Sequence, residues 1–254
     1  MYDIIGDIHG HAKELRALLL KLGYRQQQGV FAHATRKAVY CGDFIDRGPQ
    51  IPDVVSIVRD MVEGEHAFAV MGNHEFNALA FHTESPDQPG QWLRPHHDRN
   101  VAQHAATLDQ FSDDDLKAAL AWFRSLPVAI EFPDFRVVHA CWSALEIQLI
   151  NDARETQGSF SPAFLADATT VGSPLHDAIE CVLKGPELTL PDGLTTADKE
   201  GNLRRRIRIR WFESPSNATW ANYSLPRKTH LPTTIVPDDA PACPYPSTLS
   251  LIHI

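Results

Sequence analysis

The sequence predicts an α/β fold whose first three strands run parallel. Three short apolar stretches before residue 82 each lead into a polar loop that contains glycine, and a segment with helical spacing follows each loop. In the first unit Gly23 is a natural C-cap for a helix with one apolar stripe, formed by Leu15, Leu18, Leu19 and Leu22. Successive units of this kind imply parallel strands joined by right-handed crossovers.

Composition limits the classes of protein and of partner. The 254 residues are enough for one large domain or two small ones, and 43% hydrophobic with 22% charged residues is ordinary for a soluble globular protein. The formal net charge of -9 argues against a protein that coats nucleic acid, so we expect no nucleic-acid partner. Any phosphate chemistry must therefore use local cations, supplied by arginines or by metal ions.

Cysteine usage and the first residues indicate the compartment. The chain has no C-x-x-C pair, which favours reduced thiols in a cytoplasmic protein; its cysteines are Cys41, Cys141, Cys181 and Cys243. Met1 leads directly into a strand without a basic segment, and no apolar run approaches the roughly 20 residues of a membrane helix. We therefore expect neither a signal peptide nor a membrane span.

The first polar loop places a carboxylate and an imidazole two residues apart. A strand at residues 2–5 ends in Gly6-Asp7-Ile8-His9-Gly10. Alternate side chains of extended backbone point the same way, so Asp7 and His9 can converge on one cation. A single motif of this kind is equally typical of a helix N-cap followed by a surface histidine.

The second and third loops repeat this arrangement with more charge. The second, residues 42–48, holds Asp43, Asp46 and Arg47 between two glycines, after a short apolar β-former at residues 37–41. By itself it also fits a solvated turn. The third, residues 72–75, follows an apolar strand and precedes a helix. Open α/β sheets place ligands at the carboxyl ends of their strands. One sheet edge is thus expected to carry Asp7, His9, Asp43, Asp46, Arg47, Asn73 and His74.

Later segments carry weaker signals. Residues 82–111 are irregular and then helical, and we interpret His96 and His97 there as surface polarity rather than as site residues. Two strands near residues 128–131 and 136–139 end in His139, which is either a site residue or a satisfied core histidine. Residues 143–200 are mostly helical, with a helix from 174 to 184.

An arginine-rich stretch, residues 203–211, alternates cations with hydrophobic residues. As a strand it places Arg206, Arg208 and Arg210 on one face and apolar side chains on the other. It is either a solvated basic edge that discourages strand pairing or a cationic wall for a phosphorylated substrate.

The three loops, in this order, resemble those of the calcineurin-like metallophosphoesterases. The Asp-Arg-Gly and Gly-Asn-His-Glu versions at residues 46–48 and 72–75 look like the phosphoprotein phosphatase branch, which also holds the diadenosine tetraphosphatases. The resemblance covers residues 6–75, and His139 extends it. It implies a four-layer αββα sandwich of two mixed sheets, formed by one domain over residues 1–254 with insertions at about 82–125 and 143–202.

The resemblance also implies roles for the loop residues. Two divalent cations would form a dinuclear centre with a metal-bound hydroxide as nucleophile. Mixed nitrogen and oxygen ligands suit Mn²⁺, with Fe or Zn as alternatives. Asp43 would bridge the two ions. The resemblance further implies that Asp7 and His9 hold the first ion and that Asn73 and His139 hold the second. It also implies that His74 protonates the leaving oxygen and that Asp46 orients His74. Arg47 and Asn73 would contact the phosphate.

One departure from the family pattern concerns the end of the chain. The family completes its second metal site with a late Gly-His segment, whereas Gly-His occurs here only at residues 10–11. Residues 246–254 do not look like a final strand, and we interpret them as a non-native tail on a truncated chain. We expect incomplete C-terminal strands and a weakened second metal site, for which His230 or His253 could substitute.

The expected function is metal-dependent hydrolysis of phosphoric esters on a phosphoprotein or a small phosphorylated molecule, as in the serine/threonine phosphatases. Two alternatives remain. One is hydrolysis of dinucleoside polyphosphates, and the other is a non-catalytic protein that binds metal or phosphate, because a late histidine ligand is missing.

Overall fold

The computed structural model describes residues 1–197, 201 and 203–242, and the backbone of 250–252. Its strands are β1 (Tyr2–Ile5), β2 (Arg25–Gln27), β3 (Val30–Ala32), β4 (Lys37–Tyr40), β5 (Ala67–Ala69), β6 (Ala129–Glu131), β7 (Phe135–Val138), β8 (Glu187–Thr189), β9 (Thr196–Ala197), β10 (Leu203–Arg204), β11 (Arg206–Arg208) and β12 (Ser250–Ile252). Its helices are α1 (Ala12–Leu22), α2 (Ile51–Glu63), α3 (Asn73–Phe81), α4 (Asp98–Gln110), α5 (Asp113–Ser125), α6 (Ala144–Gln157), α7 (Pro162–Thr169), α8 (Pro174–Lys184) and α9 (Trp220–Tyr223).

The first sheet positions the polar loops. Its strand order is β1-β4-β5, and both pairings are parallel, with Ile4 opposite Val39 and Val39 opposite Phe68. The loops that follow these strands therefore emerge at one edge, as predicted. The helices that connect them are α1 and α2, which is the crossover arrangement that parallel strands require.

A second sheet packs against the first. Its order is β12-β7-β6, with β6 antiparallel and β12 parallel to β7. Val39 of β4 shares a small apolar cluster with Phe132 and Val137 from the segment of β6 and β7. The expected α/β architecture with two facing sheets is confirmed. Parallel and antiparallel pairing mix only in the second sheet, as far as the described strands show.

Helix α1 shows how the apolar pattern sets the core. Leu15 and Leu19 are buried and Leu22 is partly buried against the main core, but Leu18 is 39% exposed at the margin of the predicted stripe. Gly23 ends the helix with φ of 97°, and its N–H donates to carbonyls of the last turn, as the C-cap interpretation predicted.

The arginine-rich stretch keeps the predicted alternation of cations and apolar residues, but it forms two short strands, β10 and β11, rather than one strand over residues 203–211, and Arg210 lies beyond both. β11 pairs antiparallel with β8, and Ile207, Ile209 and Trp211 are buried while Arg206 and Arg208 are exposed. This strand is remote in sequence from the parallel sheet, and it contributes one wall of a separate cleft described below.

The expectation that the end of the chain contains no strand is wrong for Ser250–Ile252. This backbone pairs parallel with Phe135–Val137 of β7, on the side of β7 away from β6. Apolar residues such as Leu251 and Ile252 favour strands, and an open sheet edge offers unpaired backbone groups. The other residues of the predicted tail, 246–249 and 253–254, lie outside the described part of the chain. The domain boundaries stay a prediction.

We find no helix among the described residues with both the length and the hydropathy that a bilayer crossing requires.

Candidate metal centre

Backbone hydrogen bonds hold the first two polar loops together. The N–H groups of Ile8 and His9 both donate to the Asp43 carbonyl, at 3.1 and 2.9 Å, and Gly10 N–H donates to the Phe44 carbonyl at 2.8 Å. These bonds satisfy backbone N–H groups that follow strand β1 and have no partner within the sheet. They also place Asp7 and His9 directly beside the carboxylate of Asp43.

Three side chains of this centre are carried by left-handed backbone. His9, Asp43 and Asp46 have φ of 46°, 55° and 73°, a region that L-residues other than glycine seldom adopt. Each such residue costs about 1–3 kcal/mol and persists only where its surroundings fix it, which is typical of functional sites. The strained backbone of these loops therefore directs the three side chains into the centre.

The third loop approaches the second so closely that both need glycine. A Cβ on Gly42 would lie 2.4 Å from Gly72 N, and one on Gly72 would lie 2.3 Å from Asp43 Oδ1. Both distances are too short for any side chain. Glycine at these two positions lets Asn73 and His74, at the start of α3, reach the Asp43 carboxylate.

Glu75 links the second and third loops through hydrogen bonds. Its fully buried carboxylate accepts hydrogen bonds from the N–H groups of Asp43 at 2.9 Å, Phe44 at 2.7 Å and Gly72 at 3.0 Å. Burial and the neighbouring Asp43 raise the pKa of Glu75, while these backbone donors oppose that rise. Glu75 belongs to the Gly-Asn-His-Glu motif, but the motif alone did not predict this role. The available signal was its position as N3 of a helix, where a carboxylate binds backbone N–H groups.

His9 has the tautomer of a metal ligand. Its Nδ1 lies 2.7 Å from the Ile45 carbonyl, which can only accept, so Nδ1 carries the proton and Nε2 the lone pair. Nε2 is buried without a hydrogen-bond partner among the described residues, 3.8 Å from Asp7 Oδ2 and 3.6 Å from Asp43 Oδ2. Burial lowers the pKa of His9, which favours the neutral ring.

His139 is arranged in the same way from the opposite side. Its Nδ1–H donates to the Cys41 carbonyl at 2.6 Å, so Nε2 presents a lone pair to Asn73 Oδ1 at 3.2 Å and to Asp43 Oδ1 at 3.6 Å. These contacts place the His139 ring beside Asn73 and Asp43, at the same carboxylate that His9 faces.

The atoms that could bind a metal ion form two groups that share Asp43. One contains His9, Asp43 and His74, and the other contains Asp7, Asp43 and His139; within each group the atoms lie within 4.8 Å of one another. Asp7 therefore stands near His139 as well as His9, although the resemblance assigned it to the first ion with His9. Burial and the neighbouring Asp43 carboxylate raise the pKa of Asp7. The donor set fits divalent transition metals.

His74 differs from the other two histidines because its Nδ1 contacts a carboxylate. Nδ1 lies 2.8 Å from Asp46 Oδ2, its backbone N–H donates to Asp43 Oδ1 at 3.0 Å, and Nε2 lies 3.8 Å from Asp43 Oδ2. Burial lowers the pKa of His74, but the hydrogen bond to Asp46 and the charge of Asp43 outweigh it and raise the pKa overall. A ring that keeps its second proton is suited to proton donation rather than to ligation.

Two residues of α4 that the sequence analysis missed complete the surroundings of Asp46. His104 Nδ1 and Thr107 Oγ1 each donate to Asp46 Oδ1 at 2.6 Å, and Thr107 Oγ1 accepts the Asp46 N–H at 3.1 Å. Burial works to raise the pKa of Asp46, but these hydrogen bonds and that of His74 hold it well below its usual range. Their i, i+3 spacing on a helix was the only signal in the sequence.

Arg47 lies at the rim of the centre. It is exposed, forms no ion pair with any other described residue, and is close enough to His9 that its charge lowers the pKa of that ring. This position leaves its guanidinium open to solvent and to a ligand.

The remaining candidate residues lie elsewhere. His230 is exposed and its Nε2 contacts Thr196 Oγ1 at 3.1 Å, so it does not join the metal-ligand groups, and His253 lies outside the described residues. Arg210 pairs with Glu213 at 2.6 Å. Arg206 and Arg208 line a cleft of about 380 Å³ between β11, β8 and α8.

A comparison with protein-family models identifies the family of this chain. The model of the calcineurin-like phosphoesterases matches residues 2–168, which is more than half of the chain and includes every residue of the metal centre; the separate arginine cleft lies beyond the match. The chain belongs to this family. The resemblance read from the three loops is confirmed, and the family implies that the centre holds divalent metal ions.

Curated relatives cover less of the chain. It is 44% identical over 73 residues to the bis(5'-nucleosyl)-tetraphosphatase PrpE of Oceanobacillus iheyensis, covering 28% of this chain and 29% of the relative. It is 31% identical over 142 residues to the PrpE of Halalkalibacterium halodurans, covering 54% of each chain. The chain thus spans about half or less of the length of these relatives.

Solved structures with similarity are more distant. One is the crystal structure of a putative diadenosine tetraphosphatase, with a TM-score of 0.36, 22% identity and coverage of 55% of this chain and 50% of that chain. Another is a cold-active protein-tyrosine phosphatase of a Shewanella species, with a TM-score of 0.46, 22% identity and coverage of 68% and 55%.

Proposed function

We propose that this protein hydrolyses phosphoric esters at a centre of two divalent cations held by Asp7, His9, Asp43, Asn73 and His139. The observation that carries the proposal is the pair of histidines whose Nδ1–H groups are fixed by backbone carbonyls. Both direct an Nε2 lone pair towards opposite oxygens of one carboxylate, that of Asp43. A carboxylate approached in this way can bridge two ions.

The metal ions and the protein side chains would have separate roles in the reaction. Divalent cations bound here would supply water activation and neutralise charge on the phosphate oxygens. His74 would donate the proton on Nε2 to the leaving oxygen, while Asp46 retains the proton on Nδ1 by its 2.8 Å hydrogen bond. Arg47, exposed at the rim, would contact the phosphate oxygens together with Asn73.

The ligand set supports Mn²⁺ as the metal, with Fe or Zn as alternatives, because imidazole nitrogen and carboxylate or amide oxygen are mixed. We expect the second ion, next to Asn73 and His139, to bind more weakly. No further histidine of the described residues joins the ligand atoms of that group. A cytoplasmic location is also part of the proposal, and it rests on cysteine usage alone.

Two substrate classes follow from different observations. A phosphoprotein or a small phosphorylated molecule needs only the centre itself. Dinucleoside polyphosphates are the second candidate, because the PrpE relatives are named for such a substrate.

The cleft beside β11 supports an extended substrate. The N–H groups of Ala140 and Cys141, next to His139, each lie 3.2 Å from the Val182 carbonyl of α8, and Gly185 of the cleft lies against Ala140. These backbone contacts join α8, which lines the cleft, to the residues that follow His139. A substrate with several phosphates could place one at the centre and another near Arg206 and Arg208.

The experiment is a screen of the 254-residue chain after exhaustive chelation, with and without added Mn²⁺. p-Nitrophenyl phosphate, phosphopeptides, nucleotides and dinucleoside polyphosphates are the substrates, and Asp43→Asn is the inactive comparison. A matched control is Asp53→Asn, which alters an exposed carboxylate paired with Arg16. Hydrolysis that requires metal and Asp43 is expected. Metal binding without turnover of any substrate would instead support the non-catalytic alternative.

A further inference from the structure

Asp46 is the meeting point of two histidines. Its Oδ2 contacts His74 Nδ1 at 2.8 Å, and its Oδ1 contacts His104 Nδ1 at 2.6 Å, while its side chain is only 2% exposed. Thr107 is the third donor to this carboxylate and the second on Oδ1, and it also accepts the Asp46 N–H. Both oxygens of the carboxylate are therefore occupied from opposite sides, by α3 on one and by α4 on the other.

The protons of this chain of contacts have a defined order. A carboxylate only accepts, so His104 donates from Nδ1 and has a lone pair on Nε2 when neutral. That lone pair lies 3.1 Å from His82 Nε2, which then carries the proton of its own ring. Burial, with the charges of His104 and His96, lowers the pKa of His82 to about 4, so this ring is neutral at physiological pH. Each ring thus has one favoured tautomer.

We propose that His104 and Thr107 are positioning residues for the proton transfer by His74. They hold Asp46 ionised and in one orientation, on a backbone whose φ of 73° needs such support. Asp46 in turn keeps a proton on His74 Nδ1 and turns Nε2 towards the centre. This inference rests on the proposed phosphoesterase function.

The proton balance is simple. In bond cleavage the Nε2–H bond of His74 breaks and an O–H bond forms on the leaving oxygen. His74 becomes neutral and keeps Nδ1–H on Asp46, and solvent later returns a proton to Nε2. Asp46 remains a carboxylate throughout, because protonating it would forfeit hydrogen bonds from His104 and Thr107.

A purely structural role for His104 would be to anchor α4 on the second loop. The chain offers a matched control for that role. Gln110, on the same helix, donates to the Gly48 carbonyl at 2.9 Å and accepts the Ile51 N–H at 2.8 Å without a hydrogen bond to Asp46. Gln110→Ala therefore weakens the anchor of α4 and leaves the contacts of Asp46 in place.

The experiment compares His104→Leu, His104→Asn, Thr107→Val and Gln110→Ala on phosphate monoesters that differ in leaving-group pKa. General acid catalysis typically contributes about 10²–10⁴-fold, and we expect His104→Leu to lose roughly 10- to 100-fold in kcat on alkyl phosphates and less than about threefold on p-nitrophenyl phosphate. KM should change little. The asparagine amide can take the place of Nδ1–H, so His104→Asn should recover most of the loss.

Three outcomes would overturn the inference. They are equal losses on all leaving groups, a His104→Asn variant no better than His104→Leu, and a Gln110→Ala variant that reproduces the selective loss. If His104→Leu does not fold, Thr107→Val tests the inference instead. It removes one hydroxyl that donates to the Asp46 carboxylate, so it should show the same selectivity for poor leaving groups with a smaller loss.

A second readout does not depend on turnover. In the wild-type protein ¹⁵N NMR should detect a slowly exchanging Nδ1–H proton on His74, and His104→Leu should accelerate its exchange while Gln110→Ala does not. An unchanged signal in His104→Leu would contradict the positioning role. A wild-type protein that hydrolyses nothing would refute the proposed function, whereas the NMR result would still decide this inference.

Discussion

The edge of the parallel sheet and the cleft beside β11 both collect charged side chains, but they compensate the charges differently. In the cleft, Lys184 pairs with Glu180, and Arg206 lies 3.4 Å from Glu187. At the sheet edge, Asp7 and Asp43 face the Nε2 lone pairs of His9 and His139, and neither carboxylate pairs with a described lysine or arginine.

This difference distinguishes a surface whose charges pair with one another from a site whose polar groups need a ligand. Exposed ion pairs are worth about 0–1 kcal/mol and need no ligand to be satisfied. Buried acceptors that face one another are costly without a cation. The comparison predicts that changes at the sheet edge have large effects on metal binding and turnover, and that changes in the cleft have small effects restricted to some substrates.

The largest effect is expected for Asp43→Asn. This carboxylate belongs to both ligand groups, and replacing it removes a charged ligand from each. Loss of a supporting partner of a ligand typically weakens metal affinity by about 10–100-fold, so loss of this ligand should weaken both ions by at least that factor. Isothermal titration calorimetry with Mn²⁺ measures it. Two ions bound at wild-type affinity would break the comparison.

The next effect is expected for His74→Asn, which removes the proton donor but no ligand. Turnover of alkyl phosphates should fall by about 10²–10⁴-fold, with a smaller loss for p-nitrophenyl phosphate, because a good leaving group needs no proton. Metal affinity should stay near that of the wild type. Equal loss on both substrates, or loss of a metal ion, would assign His74 to the ligands instead.

Glu75→Gln tests whether the loops need their buried support. Gln retains one acceptor oxygen but turns an amide N–H₂ towards backbone donors, so at least one of the N–H groups of Asp43, Phe44 and Gly72 loses its partner. An unsatisfied buried donor costs about 1–3 kcal/mol, which thermal and urea unfolding can measure. The exposed Glu14→Gln serves as the control. A change within error of that control would mean that the loops are held by other contacts.

The smallest effect is expected for Arg208→Ala in the cleft. KM for dinucleoside polyphosphates should rise by about two- to fivefold, within the range of roughly 0.2–1 kcal/mol for exposed charged contacts, and p-nitrophenyl phosphate should be unaffected. Arg210→Ala is matched to it, because Arg210 is held by Glu213 outside the cleft. Equal effects of the two variants would remove the cleft from the account of substrate binding.

Local pattern made most of the sheet edge predictable. Strand–loop–helix repetition places loop ends at one edge, so the convergence of Asp7, His9 and Asp43 followed from topology. Helix α8 was predicted at its observed ends, Pro174 and Lys184, and in the structure the Ser173 hydroxyl caps it by accepting the His176 N–H.

Long-range packing explains what was missed. His104 and Thr107 reach Asp46 across 58 and 61 residues, and only the docking of α4 brings them there. The strand Ser250–Ile252 was missed because its pairing depends on the open edge of β7, which no local pattern in the last residues encodes. Glu75 was visible as a motif residue, but its three backbone partners come from two different loops.

The most direct test of the central claim is a titration of the metal-free chain with Mn²⁺, in which bound ions and turnover are measured on the same samples. We predict no hydrolysis without metal, a first ion bound tightly, a second bound more weakly, and loss of the weaker event alone in His139→Ala. Hydrolysis that survives exhaustive chelation, or two binding events unchanged in His139→Ala, would contradict a dinuclear centre at the edge of this sheet.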